Sequence, residues 1–395
     1  MRRTILFMEW NSFGNDFVIQ AFQLLGYEIE RFKFETEVID TKNDSVFTEK
    51  LAMHIVRGKY YMVFSFNYYP VVAIACKATR VPYASWTYDS PFVQLYSKTL
   101  NYETNYAFVF DSKTCSDLNT KGYTVYYLPM AAPVDCYESV LRANANNRKY
   151  DAQISFVGSL YNEGNNNLLR HLEKLDDYEK GYVDALVQMQ KNIYGYNFIE
   201  EILLDNPELM KNIQKRCPVY ANGDGIESAE WTFANYFIDR KITSLERTEV
   251  LKMIGEKYNL NLYTSSDWSA KGIRNNGRVD YYREAPLVFA NSKINLNITL
   301  RSIQMGIPLR AFDIMACGGF LISNYQEDFL DFFEPEQDMV FYQSHEDLMD
   351  KIEFYLGHDN NRMKTAQSGY EKVKRSHTYL QRAEVILSTV SEFWR

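Results

Sequence analysis

The segment Pro308–Asn324, PLRAFDIMACGGFLISN, constrains the fold more than any other part of the chain. It reads as a helix carrying Arg310 and Asp313 that ends at Gly318-Gly319 and runs at once into a buried strand, Phe320 to Ser323. A helix stopped by paired glycines and followed directly by an apolar strand is an α/β unit, with Gly318 or Gly319 supplying the left-handed cap. In sheets built from such units, ligands gather outside the carboxyl ends of the parallel strands.

The same grammar runs through the rest of the chain. Thr4 to Met8, Glu28 to Phe34, Tyr60 to Phe66, Tyr83 to Thr87, Tyr106 to Phe110 and Thr124 to Tyr127 read as strands. Helical patterns at Asn15 to Leu25, Pro70 to Ala78 and Ser112 to Thr120 fall between some of them. That alternation predicts a parallel sheet covered on both faces, in a first domain over residues 1–148. A polar run, Asn144 to Lys149, then precedes the strand Asp151 to Val157, which opens a second domain over 149–395. From Leu168 to about Lys257 the pattern is helical with no strand, so an inserted helical segment is expected over about 165–257. Strands return at Leu260 to Thr264, Ile294 to Ile298 and Phe320 to Ser323, and two helices follow from His345, the terminal one returning to the first domain. The fold class is therefore α/β, two Rossmann-like domains facing each other across a cleft, with a helical insertion and C-terminal helices.

Charge and composition narrow the partners. A net charge of −8 with a pI near 5.4 argues against nucleic acid, which needs a basic face. The apolar run after Met1-Arg2-Arg3 is too short for a signal peptide and is stopped by Glu9. No apolar stretch approaches the length of a membrane span, so a cytoplasmic location is expected. The five cysteines and the five histidines show no metal-ligand spacing, and no DxD carboxylate pair occurs, so neither a metal nor another cofactor is expected. The 31 tyrosines and 25 phenylalanines have two readings, aromatic surfaces that pack on sugars or an AT-rich coding sequence.

Several side chains fall where chemistry would need them. Arg310 and Asp313 stand one helical turn apart, so the guanidinium can fork onto a diphosphate and the carboxylate can accept from a vicinal diol such as a ribose. The alternative is an intrahelical ion pair worth a few tenths of a kcal/mol. Asn295, Asn297 and Arg301 are polar supports for the same pocket. Gly158-Ser159 closes the first strand of the second domain, a small-residue turn whose N–H groups can approach phosphate. Asn11 and Gly14 open the first helix and can face an acceptor or a phosphate. Asp89, in the turn after Tyr83 to Thr87, is the candidate general base or charge-stabilising group, with Asn67 and Asp111 at neighbouring strand ends as further candidates.

The runs Lys293–Thr299 (KINLNIT), Arg301 and Gly306–Phe320 (GIPLRAFDIMACGGF) resemble the donor domain of CgeB-like (spore maturation protein) glycosyltransferases. Phe66–Pro70 (FNYYP) and Ser85–Pro91 (SWTYDSP) resemble the N-terminal domain of the same family. The resemblance spans both domains except the helical segment. It implies the GT-B architecture, a nucleotide-diphosphate sugar as donor, and a glycan, protein or small molecule as acceptor. It also implies that Asp313 holds the ribose, that Gly318 and Gly319 belong to the donor motif, and that the loops carrying Ser266 and Tyr281 meet the nucleotide base. Related retaining enzymes add a second carboxylate on the sugar; here that place falls on Met305, so the sugar contact and the stereochemical course stay open. Met305 favours the alternative of a non-catalytic nucleotide-sugar or glycan-binding protein, whereas Asp89 with Asn67 favours a metal-independent transferase.

Overall fold

The computed structural model describes residues 3–163, 168–217, 219 and 223–394. Met1 and Arg2, and residues 165–167 at the start of the expected helical segment, lie outside the described residues. Two compact units result. The first comprises Met1–Ala131, Ala221–Glu227 and His377–Arg395, and the second Ala132–Tyr220 and Ser228–Ser376.

The first unit is built on β1 (Thr4–Glu9), β2 (Glu28–Lys33), β3 (Met62–Phe66), β4 (Tyr83–Thr87), β5 (Asn105–Val109) and β6 (Val125–Tyr127). All pair in parallel, in the order β2-β1-β3-β4-β5-β6. Every residue of β3, β4 and β5 is buried, as expected for strands covered on both faces. The chain adds β2 on one side of β1 and the remaining strands on the other. The order therefore reverses between β1 and β3, and such a switch point leaves a crevice beyond the carboxyl ends of the strands.

The second unit repeats the logic with β7 (Ala152–Val157), β8 (Leu260–Tyr263), β9 (Ile273–Asn275), β10 (Ser292–Asn297), β11 (Leu321–Asn324) and β12 (Val340–Tyr342). The order is β12-β11-β10-β7-β8-β9, again parallel, with the switch between β7 and β10. Strands β9 and β12 have three residues each and left no periodic signal in the sequence.

Three expectations change. The units divide at Ala131, not at 148, because the helix Val134–Ala143 packs on the helix Ala285–Asn291 and so belongs with the second sheet. Three helices follow His345, over His345–Gly357, Asp359–Ser376 and Tyr379–Val390; Ser344 and Thr378 cap the first and third. Part of the aromatic excess goes into cores: Trp86, Tyr60, Tyr68, Tyr83, Tyr137 and Tyr342 are among the largest fully buried side chains.

The terminal segment His377–Arg395 belongs to the first unit. Tyr379 packs on Phe17 and Trp86, and its hydroxyl occupies the space a side chain at residue 14 would need, 2.5 Å from the Cβ position of Gly14. Arg382 donates to the carbonyls of Pro129 and Met130.

The helical segment has its own apolar core, including Leu186, Ile199, Leu209, Ile213, Phe233 and Ile238. A π-helical turn, Ala234–Ile238, runs into the long helix Asp239–Lys257. Asp239 is fully buried there, its two oxygens each 2.9 Å from Asn197 Nδ2, and burial pushes its pKa up to about 7 against that hydrogen bonding. An acid whose pKa is raised on folding binds more protons folded than unfolded. Its contribution to stability is therefore present at low pH and is lost as pH rises from the unfolded value near 4 through about 7. Asp239→Asn is accordingly expected to flatten the pH dependence of Tm between pH 5 and 7.5, with the variant gaining most at the alkaline end. Parallel wild-type and variant curves would show that Asp239 ionises without penalty.

Candidate functional site

At the switch point of the second unit the structure brings together residues far apart in sequence. Gly158 follows β7, and Arg310 begins the helix Leu309–Ala316 after β10. Arg310 Nη1 lies 2.7 Å from the Cβ position of Gly158, so a side chain there would push the guanidinium from the place it occupies. Arg310 Nε is buried and makes no hydrogen bond among the described residues. Two more arginines come from the helix Asp239–Lys257. Arg240 stacks over the Tyr161 ring at 5.3 Å with its own Nε unpartnered. Arg247 is buried, stacks over Tyr161 at 5.0 Å, and donates to the carbonyls of Ser159 and Ile298. Burial, with Arg310 nearby, lowers its pKa.

The turn itself already holds an oxyanion. Ser159 Oγ and the Leu160 N–H both donate to the Glu163 carboxylate, at 2.7 and 3.0 Å, while the Gly158 N–H is taken by the Tyr263 carbonyl. A phosphate reaching this turn therefore competes with Glu163, and two unsatisfied guanidinium nitrogens buried beside it favour the more highly charged anion.

One helical turn beyond Arg310, Asp313 is 1 % exposed. Tyr137 Oη donates to its Oδ1 at 2.8 Å, and Tyr281 Oη donates to its Oδ2. Burial pushes the Asp313 pKa up to about 6, opposed by the two phenols and by Arg310. The alternative reading, an intrahelical pair with Arg310, is not formed by hydrogen bonding; phenols hold the carboxylate instead. Tyr281, expected near a nucleotide base, is one of them.

Other expected donor residues have structural tasks. Gly318 has φ +68 and caps the helix, whereas a Cβ on Gly319 would fall 2.6 Å from the Phe289 carbonyl. Both lie ahead of β11, at the end of the sheet away from its carboxyl edge, so they shape the helix-to-strand turn and do not meet a ligand there. Arg301 is buried with its donors committed to Glu246 (3.0 Å) and the carbonyls of Ile193 and Lys191, tying the helical segment to the sheet. Asn297 bonds Thr299 and Ser323; Asn295 bonds Ser155 and the Phe289 carbonyl. Ser266 is buried and donates to Asn162 at 2.6 Å, which links the loops after β8 and β7.

In the first unit, Asn67 and Asp89 meet at the ends of adjacent strands β3 and β4. Asn67 is fully buried and held at φ +59, a conformation that costs about 1 kcal/mol or more for a residue with a side chain. Its Nδ2 donates to Asp89 Oδ2 at 2.7 Å, and its Oδ1 accepts from the Tyr88 N–H at 3.1 Å. Ser65 Oγ donates to its carbonyl at 2.6 Å. Asp89 is exposed at the residue level, yet protein packed around the carboxyl raises its pKa against the Asn67 hydrogen bond. Asp111 instead caps the helix Ser112–Thr120, accepting from Lys113 N at 2.9 Å. Asn11 is exposed just past β1, at the first unit's switch point between β1 and β3, and Gly14 is required by Tyr379 and its φ of +84.

Residues 242–388 match the family model described as glycosyl transferase-like. Solved structures share the whole fold: a glycosyltransferase from Rickettsia africae (TM-score 0.54, 11% identity, covering 100% of this chain and 99% of that one). Sucrose-phosphate synthase from Thermosynechococcus elongatus is as similar (TM-score 0.54, 12% identity, 100% and 99%). So is Anabaena HepE solved with UDP-glucose (TM-score 0.54, 10% identity, 98% and 99%). No curated protein sequence matches the chain. The two-unit α/β fold is thus the GT-B fold of these enzymes.

Sequence reasoning missed Arg240, Arg247, Tyr137 and Glu163. The two arginines stand seven residues apart on one helix, a spacing that shares a face, but nothing local tied that helix to the turn after β7. Among the described residues no helix is long and apolar enough to cross a membrane.

Proposed function

We propose that the protein transfers a sugar from a nucleotide-diphosphate sugar to a hydroxylated acceptor without a metal ion. The observation that carries this reading is Arg310 seated over Gly158 at the switch point between β7 and β10, flanked by Arg240 and Arg247. Three guanidinium groups around a small-residue turn neutralise a diphosphate as a divalent cation otherwise would. The glycosyl transferase-like match over this unit and a structural neighbour solved with UDP-glucose support the choice of donor. Asp313 takes the ribose diol as Tyr281 turns aside, and Asp89, positioned by Asn67, serves the reacting hydroxyl.

The test is calorimetric binding of UDP, GDP, ADP, CMP and TDP in EDTA, wild type against Asp313→Ala. One base should bind, and the variant should lose that binding; equal binding by both removes the ribose role. Because Asp313 titrates near 6, affinity should weaken as pH falls below about 6 and the carboxylate becomes neutral. Affinity that strengthens on acidification would identify Asp313 as a repelling charge near the diphosphate.

The second reading, a nucleotide-sugar-binding protein without transfer, is favoured by Asp313, whose oxygens are both engaged, and by the apolar Met305. Binding without release of free nucleotide in the presence of varied acceptors would select it.

A further inference from the structure

The first unit contains a pocket of about 200 Å³ that none of the candidate residues above lines. Its floor comes from two connections at the carboxyl ends of β3 and β4: Pro70 follows the Asn67 turn, and Val93 and Tyr96 follow Asp89. Asp40 and Lys42, from the connection after β2, form one side. The opposite side is a segment remote in sequence, Gly223–Gly225, from the stretch that the first unit takes out of the helical part of the chain. It is stitched on by a bridge between Ser97 and Gly225, by Lys98 N–H to the Asp224 carbonyl (3.2 Å) and by Ile226 N–H to the Tyr96 carbonyl (3.0 Å). A Cβ on Gly225 would fall 2.0 Å from the Glu227 carboxylate, which would have to move to admit one.

We propose that this pocket is the acceptor subsite, that it takes one uncharged, hydroxyl-rich sugar residue, and that the inserted segment exists in part to complete it. This rests on the transferase reading for its role and on the pocket's own chemistry for its ligand. The volume of about 200 Å³ suits a ligand the size of one sugar ring. Tyr96, Val93 and Pro70 give an apolar floor for the C–H face of a ring, and Ser97, Asp40 and Asp224 give hydroxyl partners. The lining cation, Lys42, lies 4.0 Å from the buried Glu227 carboxylate and beside Asp40. Two lining carboxylates, Asp40 and Asp224, with the lining lysine already paired to Glu227, disfavour an acidic sugar.

The experiment measures retention of wild type, Val93→Trp and Asp224→Lys on immobilised neutral, amine-bearing and acidic monosaccharides and short oligosaccharides, with Tm and binding of UDP, GDP, ADP, CMP and TDP measured in parallel. Val93→Trp fills the pocket; Asp224→Lys changes the charge of an exposed wall and gives a variant that does not perturb the core. The expected result is retention of neutral sugars by wild type, at least a tenfold loss in both variants, and unchanged nucleotide binding and Tm. Undiminished retention by both folded variants, a preference for acidic sugars, or no retention of any sugar by wild type overturns the proposal. Pocket-dependent retention with no binding of any nucleotide by wild type upholds the sugar site and removes the transferase reading instead.

Discussion

Asp89→Ala is expected to lower turnover by about 100- to 10,000-fold, the range set by a positioned general base, while leaving nucleotide affinity unchanged. The expectation comes from the way the side chain is held. Asn67 is locked by burial, by its left-handed backbone and by the Ser65 hydroxyl, and it presents its amide to one Asp89 oxygen at 2.7 Å. The other oxygen, Oδ1, is not used in that bond and is the one available to a substrate hydroxyl. Asn67 also lowers a pKa that desolvation raises. Asn67→Ala should therefore move the acidic limb of the rate profile to higher pH, because the carboxylate loses the bond that favours its charged form. A merely structural role for Asn67 would lower stability and leave that limb in place. Turnover by Asp89→Ala within about tenfold of wild type would assign the chemistry elsewhere.

Arg310→Ala is expected to weaken nucleotide-diphosphate binding by about 1.5–3 kcal/mol, the value of a hydrogen bond to a charged group, or roughly 10- to 150-fold in Kd. Arg310→Lys should not restore it, since an ammonium lacks the planar fork and cannot lie flat over Gly158. The nucleoside monophosphate should lose less than the diphosphate, which distinguishes a phosphate contact from a general collapse of the site. Gly158→Val should mimic the loss from the other side, because the new side chain displaces the guanidinium by contact. If Gly158→Val binds the diphosphate as wild type does, Arg310 does not act from the position it occupies here.

The strands that form the sheet centres were legible because full burial writes an apolar run of fixed length, as in Met62–Phe66 and Tyr83–Thr87. Short edge strands such as Val340–Tyr342 carry no such run. The Asn67–Asp89 pair was legible as two polar residues at strand ends, although their hydrogen bond was not. Asp313 was legible as a carboxylate on the helix that follows Pro308. Its partners were not, since Tyr137 and Tyr281 lie 176 and 32 residues away and only the tertiary fold brings phenols to it. Gly318 and Gly319 were misread for a geometric reason. A motif that contains a helix and its following turn has one end at the ligand side of the sheet and one end at the opposite side, and sequence does not mark which residues sit where.

The placement of Tyr379 and Arg382 in the first unit bears on how the chain is made. The loop that opens the first helix is propped by Tyr379, and the end of the first sheet's last connection is tied down by Arg382. Both belong to the stretch that leaves the ribosome last among the described residues. These two props reach the first sheet only after the whole second unit has been synthesised. A chain stopped after Ser376 is therefore expected to keep the six parallel strands of the first sheet and lose both props, with a lower Tm as the measured consequence.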